Sequence, residues 1–340
     1  RKTMKKIISI LLAVTLIFGA LASLTSCGGS KIKINPDKEH YVVGICQLVQ
    51  HAALDEATRG FKEGLTAALQ KAGRTVEFLE NNAQGEATMC STIVNTFVSN
   101  DVDLIMANAT AALQSAYNAT ETIPVLGTSI TEYGVALEIE NFNGVIGNNV
   151  SGTSDLAPLD RQAQMMIDTL SLKSGDKVGL IYCSAEPNSE YQVKVVKAKF
   201  EAAGIVCTNY SFADSNELSS VATSAVANSK AIYVPTDNTV ASNTTTLYNI
   251  TSPAKVPVFA GEEGICKGCG YATLSISYYN IGFKTGEMAA EVLLGKTDIT
   301  KLAIEYDQSP VMKYNEATCT ELGIDISKLE AAGYTKIETN

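Results

Sequence analysis

A short β-branched run followed by an apolar stripe at helical spacing recurs along almost the whole chain, and no other feature constrains its fold as tightly. Val42-Val43-Gly44-Ile45 leads into a helix from Asp55 to Ala72 with Ala57, Phe61, Leu65, Ala68 and Leu69 on one face. Val76-Glu77-Phe78-Leu79 then precedes a helix through Cys90, Ile93, Val94 and Phe97. Asp103-Leu104-Ile105-Met106 precedes a helix from Thr110, and Pro124-Val125-Leu126 makes a fourth strand. Strands alternating with helices form βαβ units and a parallel sheet.

After Gly144-Val145-Ile146-Gly147 the rhythm restarts with a helix from Leu159 to Leu170 and the strand Lys177 to Tyr182. It continues through a helix to Ala203, a strand near Val206 to Phe212, a helix to Asn228, Ala231-Ile232-Tyr233-Val234, another helix, and Val256-Pro257-Val258-Phe259. The expected fold class is therefore α/β, with two doubly wound parallel-sheet lobes. A chain of this length exceeds what one core usually organises. Neither lobe has GxGxxG after its first strand, and GxxxxGK[ST] is absent, which removes the usual anchors of nucleotide chemistry. Ligands of open α/β sheets sit beyond the carboxyl ends of the strands. With two such lobes facing each other, the expected site is the cleft between them.

The amino-terminal segment is of another kind. Lys5 and Lys6 precede an apolar run from Ile7 to Leu24, and Leu24-Thr25-Ser26-Cys27 places a small residue before a cysteine. A lipoprotein signal peptidase cuts this pattern after the thiol is acylated. The expectation is a signal peptide over 1–26, lipidation at Cys27, a polar tether over 27–39, and Met4 as the natural start. A transmembrane anchor is the competing reading; Ser9, Thr15, Gly19, Ala20, Ala22 and Ser23 dilute the run, and no basic cluster follows it. The expected location is extracytoplasmic, held to the membrane by lipid. Loss of residues 1–26 removes Arg1, Lys2, Lys5 and Lys6 and takes the formal net charge from −10 to −14. Such a chain has no electrostatic footprint for nucleic acid and no broad surface for anionic membrane.

Seven cysteines remain besides Cys27, an odd number scattered through apolar contexts, unlike a disulfide framework. Free thiols in an exported protein suit a reducing habitat. Cys266-Lys267-Gly268-Cys269 has four readings: structural or incidental, a local disulfide, a redox dithiol, or half a zinc site. Zinc lacks its other ligands, because the only histidines, His40 and His51, lie more than two hundred residues upstream. No cofactor or metal is expected.

The stretch Val43-Gly44-Ile45-Cys46-Gln47-Leu48-Val49-Gln50-His51-Ala52-Ala53-Leu54-Asp55 resembles the opening motif of the tryptophan/tyrosine-type ABC-transporter substrate-binding proteins. Asn81-Asn82-Ala83-Gln84-Gly85, Gly152-Thr153-Ser154-Asp155-Leu156, Ile232 to Val240 and Gly286-Glu287-Met288-Ala289-Ala290 follow in that family's order. The resemblance spans essentially all of the chain after the tether. It implies a type I periplasmic-binding-protein fold, hinge closure on a small ligand, and delivery to a membrane permease driven by a cytoplasmic ATPase. It also implies crossovers near Val150, Gly264 and Thr300, giving a first lobe of 40–150 plus 265–300 and a second of 151–264 plus 301–340. The chain departs from the pattern at Ala111, where many relatives have proline, at Gln50, where glutamate is common, and at Cys46, Cys266 and Cys269.

The cleft residues follow from strand ends. Thr110 follows Asn108-Ala109 and opens a helix, so its hydroxyl and the free amides beside it form an anion pocket suited to a carboxylate. A plain N-cap is the competing reading. Thr128 and Ser129 carry the same two readings. Asp237, between Thr236 and Asn238, is placed to hold an ammonium group or to cap a helix. Glu262 is the second candidate for the ammonium, with Glu263 solvated. Asn188 and Ser189 reach the ligand or cap their helix; Gln47 and His51 open the first helix. Tyr278 and Tyr279 supply an aromatic wall or pack the hinge. An anion pocket facing a carboxylate suits a zwitterion, so the leading ligand is an amino acid, aromatic ones first. Three alternatives stand beside it: a receptor lipoprotein that signals, a nucleoside- or sugar-binding protein, and a thiol redox enzyme using Cys266 and Cys269. The last lacks a Gly-x-Ser-x-Gly elbow and paired histidine ligands.

Overall fold

The computed structural model describes residues 32–338; the signal segment and Cys27 lie outside the described residues. The first lobe opens with β1 (His40–Gln47), α1 (Ala52–Lys71), β2 (Thr75–Asn82), α2 (Ala87–Ser99), β3 (Leu104–Asn108), α3 (Thr110–Ala119), β4 (Val125–Ile130), α4 (Tyr133–Ala136) and β5 (Val150–Ser154). The second follows with α5 (Leu159–Leu170), β6 (Lys177–Cys183), α6 (Pro187–Ala202), β7 (Val206–Phe212), α7 (Leu218–Asn228), β8 (Ala231–Val234), α8 (Asn238–Ala241), α9 (Thr244–Thr251), β9 (Val258–Ala260), α10 (Glu263–Cys269) and β10 (Ala272–Ser275). The chain then returns through α11 (Tyr278–Leu293) and β11 (Glu305–Tyr306) before ending with β12 (Val311–Tyr314), α12 (Glu316–Leu322), α13 (Ile326–Ala331) and β13 (Thr335–Lys336).

Two sheets result, ordered β11-β5-β4-β3-β1-β2 and β13-β12-β10-β9-β8-β6-β7. Every pair in the first is parallel, and in the second only β10 and β12 run antiparallel. Strands such as Leu104–Asn108 and Ala231–Val234 are buried along their whole length, as a parallel sheet covered on both faces requires. Among the described residues no helix is long and apolar enough to cross a membrane.

Strand pairing moves the lobe boundaries from those expected. Val150–Ser154 pairs with β4, so the first crossover comes after Ser154 rather than at Val150. Ala272–Ser275 pairs with β9 and β12, and Tyr271 packs edge-on to Phe259, so this stretch stays in the second lobe instead of returning at residue 265. Glu305–Tyr306 pairs with β5, so the first lobe reaches beyond residue 300. The physical cause is edge pairing: a two-residue strand is held by its neighbour's open hydrogen-bonding edge rather than by its own apolar pattern.

Helix α11 is fixed to α1 by close backbone approach. A Cβ added at Gly282 would lie 2.0 Å from the carbonyl oxygen of Ala57, and one at Gly60 would lie 2.2 Å from that of Tyr279. Gly64 and Gly286 are as tightly placed, so the two Gly-Phe-Lys-x-Gly segments, Gly60 to Gly64 and Gly282 to Gly286, mesh without side chains between them. Beneath this contact the hydroxyls of Thr128, Thr153 and Thr285 form a buried chain, with oxygens 3.2 and 2.8 Å apart.

Candidate ligand-binding cleft

The carboxyl ends of β1 and β8 meet across the lobes: His51 Nε2 lies 3.2 Å from Asn238 Oδ1. Tyr278, at the start of α11, donates its hydroxyl to Asp155 Oδ2 at 2.9 Å and faces Thr236 of the second lobe. The cleft is closed.

On the first-lobe side, the chain leaves β3 through Ala109, whose φ of 88° lies outside the usual region for a residue with a side chain. Helix α3 begins there with no side chain capping its first amides. Ser129, at the end of β4, also has a positive φ, of 57°, and its register with β5 is broken by a bulge between Gly127 and Ile130. A bulge of this kind re-aims a side chain. Ser129 is 6% exposed, yet its Oγ makes no hydrogen bond, and neither does the buried Oδ1 of Asn108. Asn108 and Thr128 are register partners and Ala109 N–H donates to Thr128 O, so the α3 start and Ser129 are neighbours. Two strained strand ends, a helix start without a side-chain cap and an unspent hydroxyl lie together at this corner of the first lobe.

The second-lobe side is rich in carboxylates already engaged with backbone. Asp237 accepts from Cys183 N–H at 2.7 Å and Val240 N–H at 2.8 Å. Glu262 accepts from Gly264 N–H at 2.6 Å and from Ile265 N–H, capping α10. Glu186 takes the amides of Asn238 and Thr239 at 3.0 and 2.8 Å and both of their side chains. Burial pushes Glu262 up to about 7, and burial together with Glu186 pushes Asp237 up to about 8.

The site residues expected from strand ends thus divide. His51 and Asn238 meet between the lobes and Tyr278 faces Thr236, while Ala109, Thr110 and Ser129 lie at the carboxyl ends of β3 and β4. Gln47 does not offer its amide, which donates to Val49 O and Asp55 Oδ1 and accepts from Thr58, locking the β1–α1 loop. Thr128 points into the threonine chain below the cleft. Asn188 and Ser189 donate to Thr236 O and hold that turn. Asp237 caps α8, its competing reading, and Glu262 caps α10, a role the sequence reading did not offer for it. Cys266 and Cys269 are free thiols buried in the second-lobe core. Tyr279 lies outside on α11, bonded to Glu63 at 2.6 Å and covered by Arg59.

Two residues of consequence are absent from that set. Glu186 shapes the α8 turn as described. Asp155 follows β5, is 4% exposed, and leaves Oδ1 without a partner. Its signal was its position directly after a strand, hidden because the sequence reading assigned no strand between Gly147 and Leu159.

Residues 42–331 match the family model described as ABC transporter substrate binding protein. A tyrosine-binding protein of Clostridioides difficile strain R20291 is 32% identical over 343 residues, covering 99% of this chain and 97% of that protein. Among solved structures, an ABC domain in complex with L-Trp from Streptococcus pneumonia shares 28% identity with a TM-score of 0.79, over 87% of this chain and all of that one. A ligand-free, open substrate-binding protein with adhesive properties from Clostridium difficile shares 30% identity with a TM-score of only 0.65, over 88% of this chain and all of that one. Greater likeness to the ligand complex than to the open form, at similar identity, agrees with the lobe-to-lobe bonds.

Proposed function

The chain belongs to the ABC transporter substrate-binding proteins, a family of binding proteins rather than enzymes, and from that premise we propose that it captures an amino acid, aromatic ones first, for an ABC importer. The observation that carries the reading is the unspent hydroxyl of Ser129 beside the uncapped start of α3, paired with the buried carboxylate of Asp155, which keeps one oxygen without a partner. A zwitterion satisfies both halves. The family likeness to tyrosine- and tryptophan-binding proteins directs the choice of side chain.

Binding proceeds by closure. In the open form the ligand's carboxylate meets the amides of α3 and Ser129 Oγ. The second lobe then folds over it, forming the His51–Asn238 bond and the Tyr278–Thr236 contact. Closure makes one surface from both lobes, which the permease reads. Acylation of Cys27, followed by removal of 1–26, ties the protein to the outer face of the cytoplasmic membrane, where the permease lies.

A thermal-shift screen of residues 28–340 against the twenty amino acids, several sugars and several nucleosides tests this. A ligand at a hundredfold excess over its Kd adds about 2.7 kcal/mol of stability. A shift with Trp, Tyr or Phe supports the reading; a shift confined to sugars or nucleosides overturns it. Radiolabelled palmitate incorporation into the full chain, lost in Cys27→Ser, tests the anchor.

A further inference from the structure

We propose that Asp155 is the counter-ion of the ligand's α-ammonium group, a role for which Asp237 and Glu262 are less well placed; this rests on the amino-acid reading above. The ammonium and carboxylate of an α-amino acid share one carbon, so their receptors in the protein must be close neighbours. Asp155 meets that condition. Its N–H donates to Ile130 O at 3.1 Å, and Ser154 Oγ donates to Thr131 O at 2.8 Å, which clamps the end of β5 beside the end of β4 that carries Ser129. Adjacent strands lie about 4.8 Å apart. Asp237 and Glu262 belong to the opposite lobe, and each has both oxygens engaged by backbone amides.

Asp155 has an oxygen to give. Oδ2 accepts from Tyr278 and Oδ1 accepts from nothing, although the residue is 4% exposed. The groups facing it are Tyr278 and Thr131, with Tyr133 nearby and Glu262 across from the second lobe; among the described residues no lysine, arginine or histidine pairs with it. A buried carboxylate with one bare oxygen and another carboxylate nearby calls for a cation. Asp155 accepts from Tyr278, which faces Thr236, and this sets that cation beside the second lobe.

Titration calorimetry of the protein with L-tyrosine, L-tryptophan and L-phenylalanine, and with the deaminated acid of each, reads the role. The wild type is expected to bind an amino acid and reject its deaminated acid. Asp155→Asn is expected to lose at least about 100-fold in affinity for the amino acid, as when one partner of a buried ion pair is removed, and to gain affinity for the deaminated acid. Unchanged binding in Asp155→Asn overturns the proposal, as does equal loss for both ligands. If the wild type ignores the aromatic amino acids but binds another solute, the aromatic reading fails by itself. Asp155 is then upheld by a selective loss in Asp155→Asn for an amine-bearing solute and overturned by a solute without a cationic group. A melting curve of Asp155→Asn without ligand, at or above wild type, separates lost binding from lost fold.

Discussion

His51 and Asn238 are joined across the cleft in one orientation only: Asn238 Nδ2 donates to Glu186 at 2.7 Å, so its Oδ1 faces the imidazole and Nε2 must carry the proton. Burial lowers the His51 pKa, which keeps the ring neutral in the closed form. The bond exists only when the lobes are shut, so its net worth of about 1 kcal/mol is spent on the closed state alone. His51→Ala is expected to weaken ligand binding about 5-fold while leaving the melting point without ligand close to wild type. Calorimetry gives the affinity, and small-angle scattering at saturating ligand gives the closed fraction.

Ser129 Oγ is the unspent hydroxyl of the anion pocket. Ser129→Ala is expected to cost about 10-fold or more in affinity for an amino acid, the range for a hydrogen bond to a charged group. The corresponding decarboxylated amine has no group for that hydroxyl, so its affinity should not change. Parallel titrations with L-tyrosine and tyramine check the difference.

Glu262 predicts a pH dependence. Its folded value, raised by burial to about 7 from 4.5, means that the folded chain holds this proton more tightly than the unfolded one. The stabilisation is therefore complete below about pH 4.5 and is lost as pH rises through about 7. Asp237, raised to about 8, acts in the same sense, and His51, lowered by burial, opposes it on the acid side of its ordinary 6.5. Melting curves of the ligand-free protein between about pH 5 and 8 should fall less steeply for Glu262→Gln than for wild type. An identical slope in the two proteins would contradict this.

Gly282→Ala places a methyl against the backbone of Ala57, which no rotamer change relieves. The expected loss is about 1–3 kcal/mol, seen in urea unfolding. Gly323→Ala meets no atom within 4 Å and should cost only what its positive φ demands, which separates crowding from conformational strain.

The two-lobe α/β architecture was legible because long strands such as Lys177–Cys183 and long helices such as Ala52–Lys71 write their period into the chain. The crossovers were not. β10 spans four residues and β11 two, lengths at which periodicity has no meaning and only the open edges of β9 and β5 decide membership. At the strand ends, position alone could not tell a capping carboxylate from a free one. Asp237 and Asp155 both follow strands. What separates them is that backbone amides occupy both oxygens of Asp237, whereas Asp155 keeps Oδ1 without a partner.

The late return of α11 and β11 to the first sheet has a consequence for the order in which the molecule comes into being. Helix α1 has no partner for Gly60 and Gly64 until about four-fifths of the chain is present, and β5 has a bare edge until about nine-tenths is. Contacts so distant in sequence form slowly. Synthesis from the amino terminus therefore leaves the first lobe without its closing helix and edge strand until the second lobe has been made.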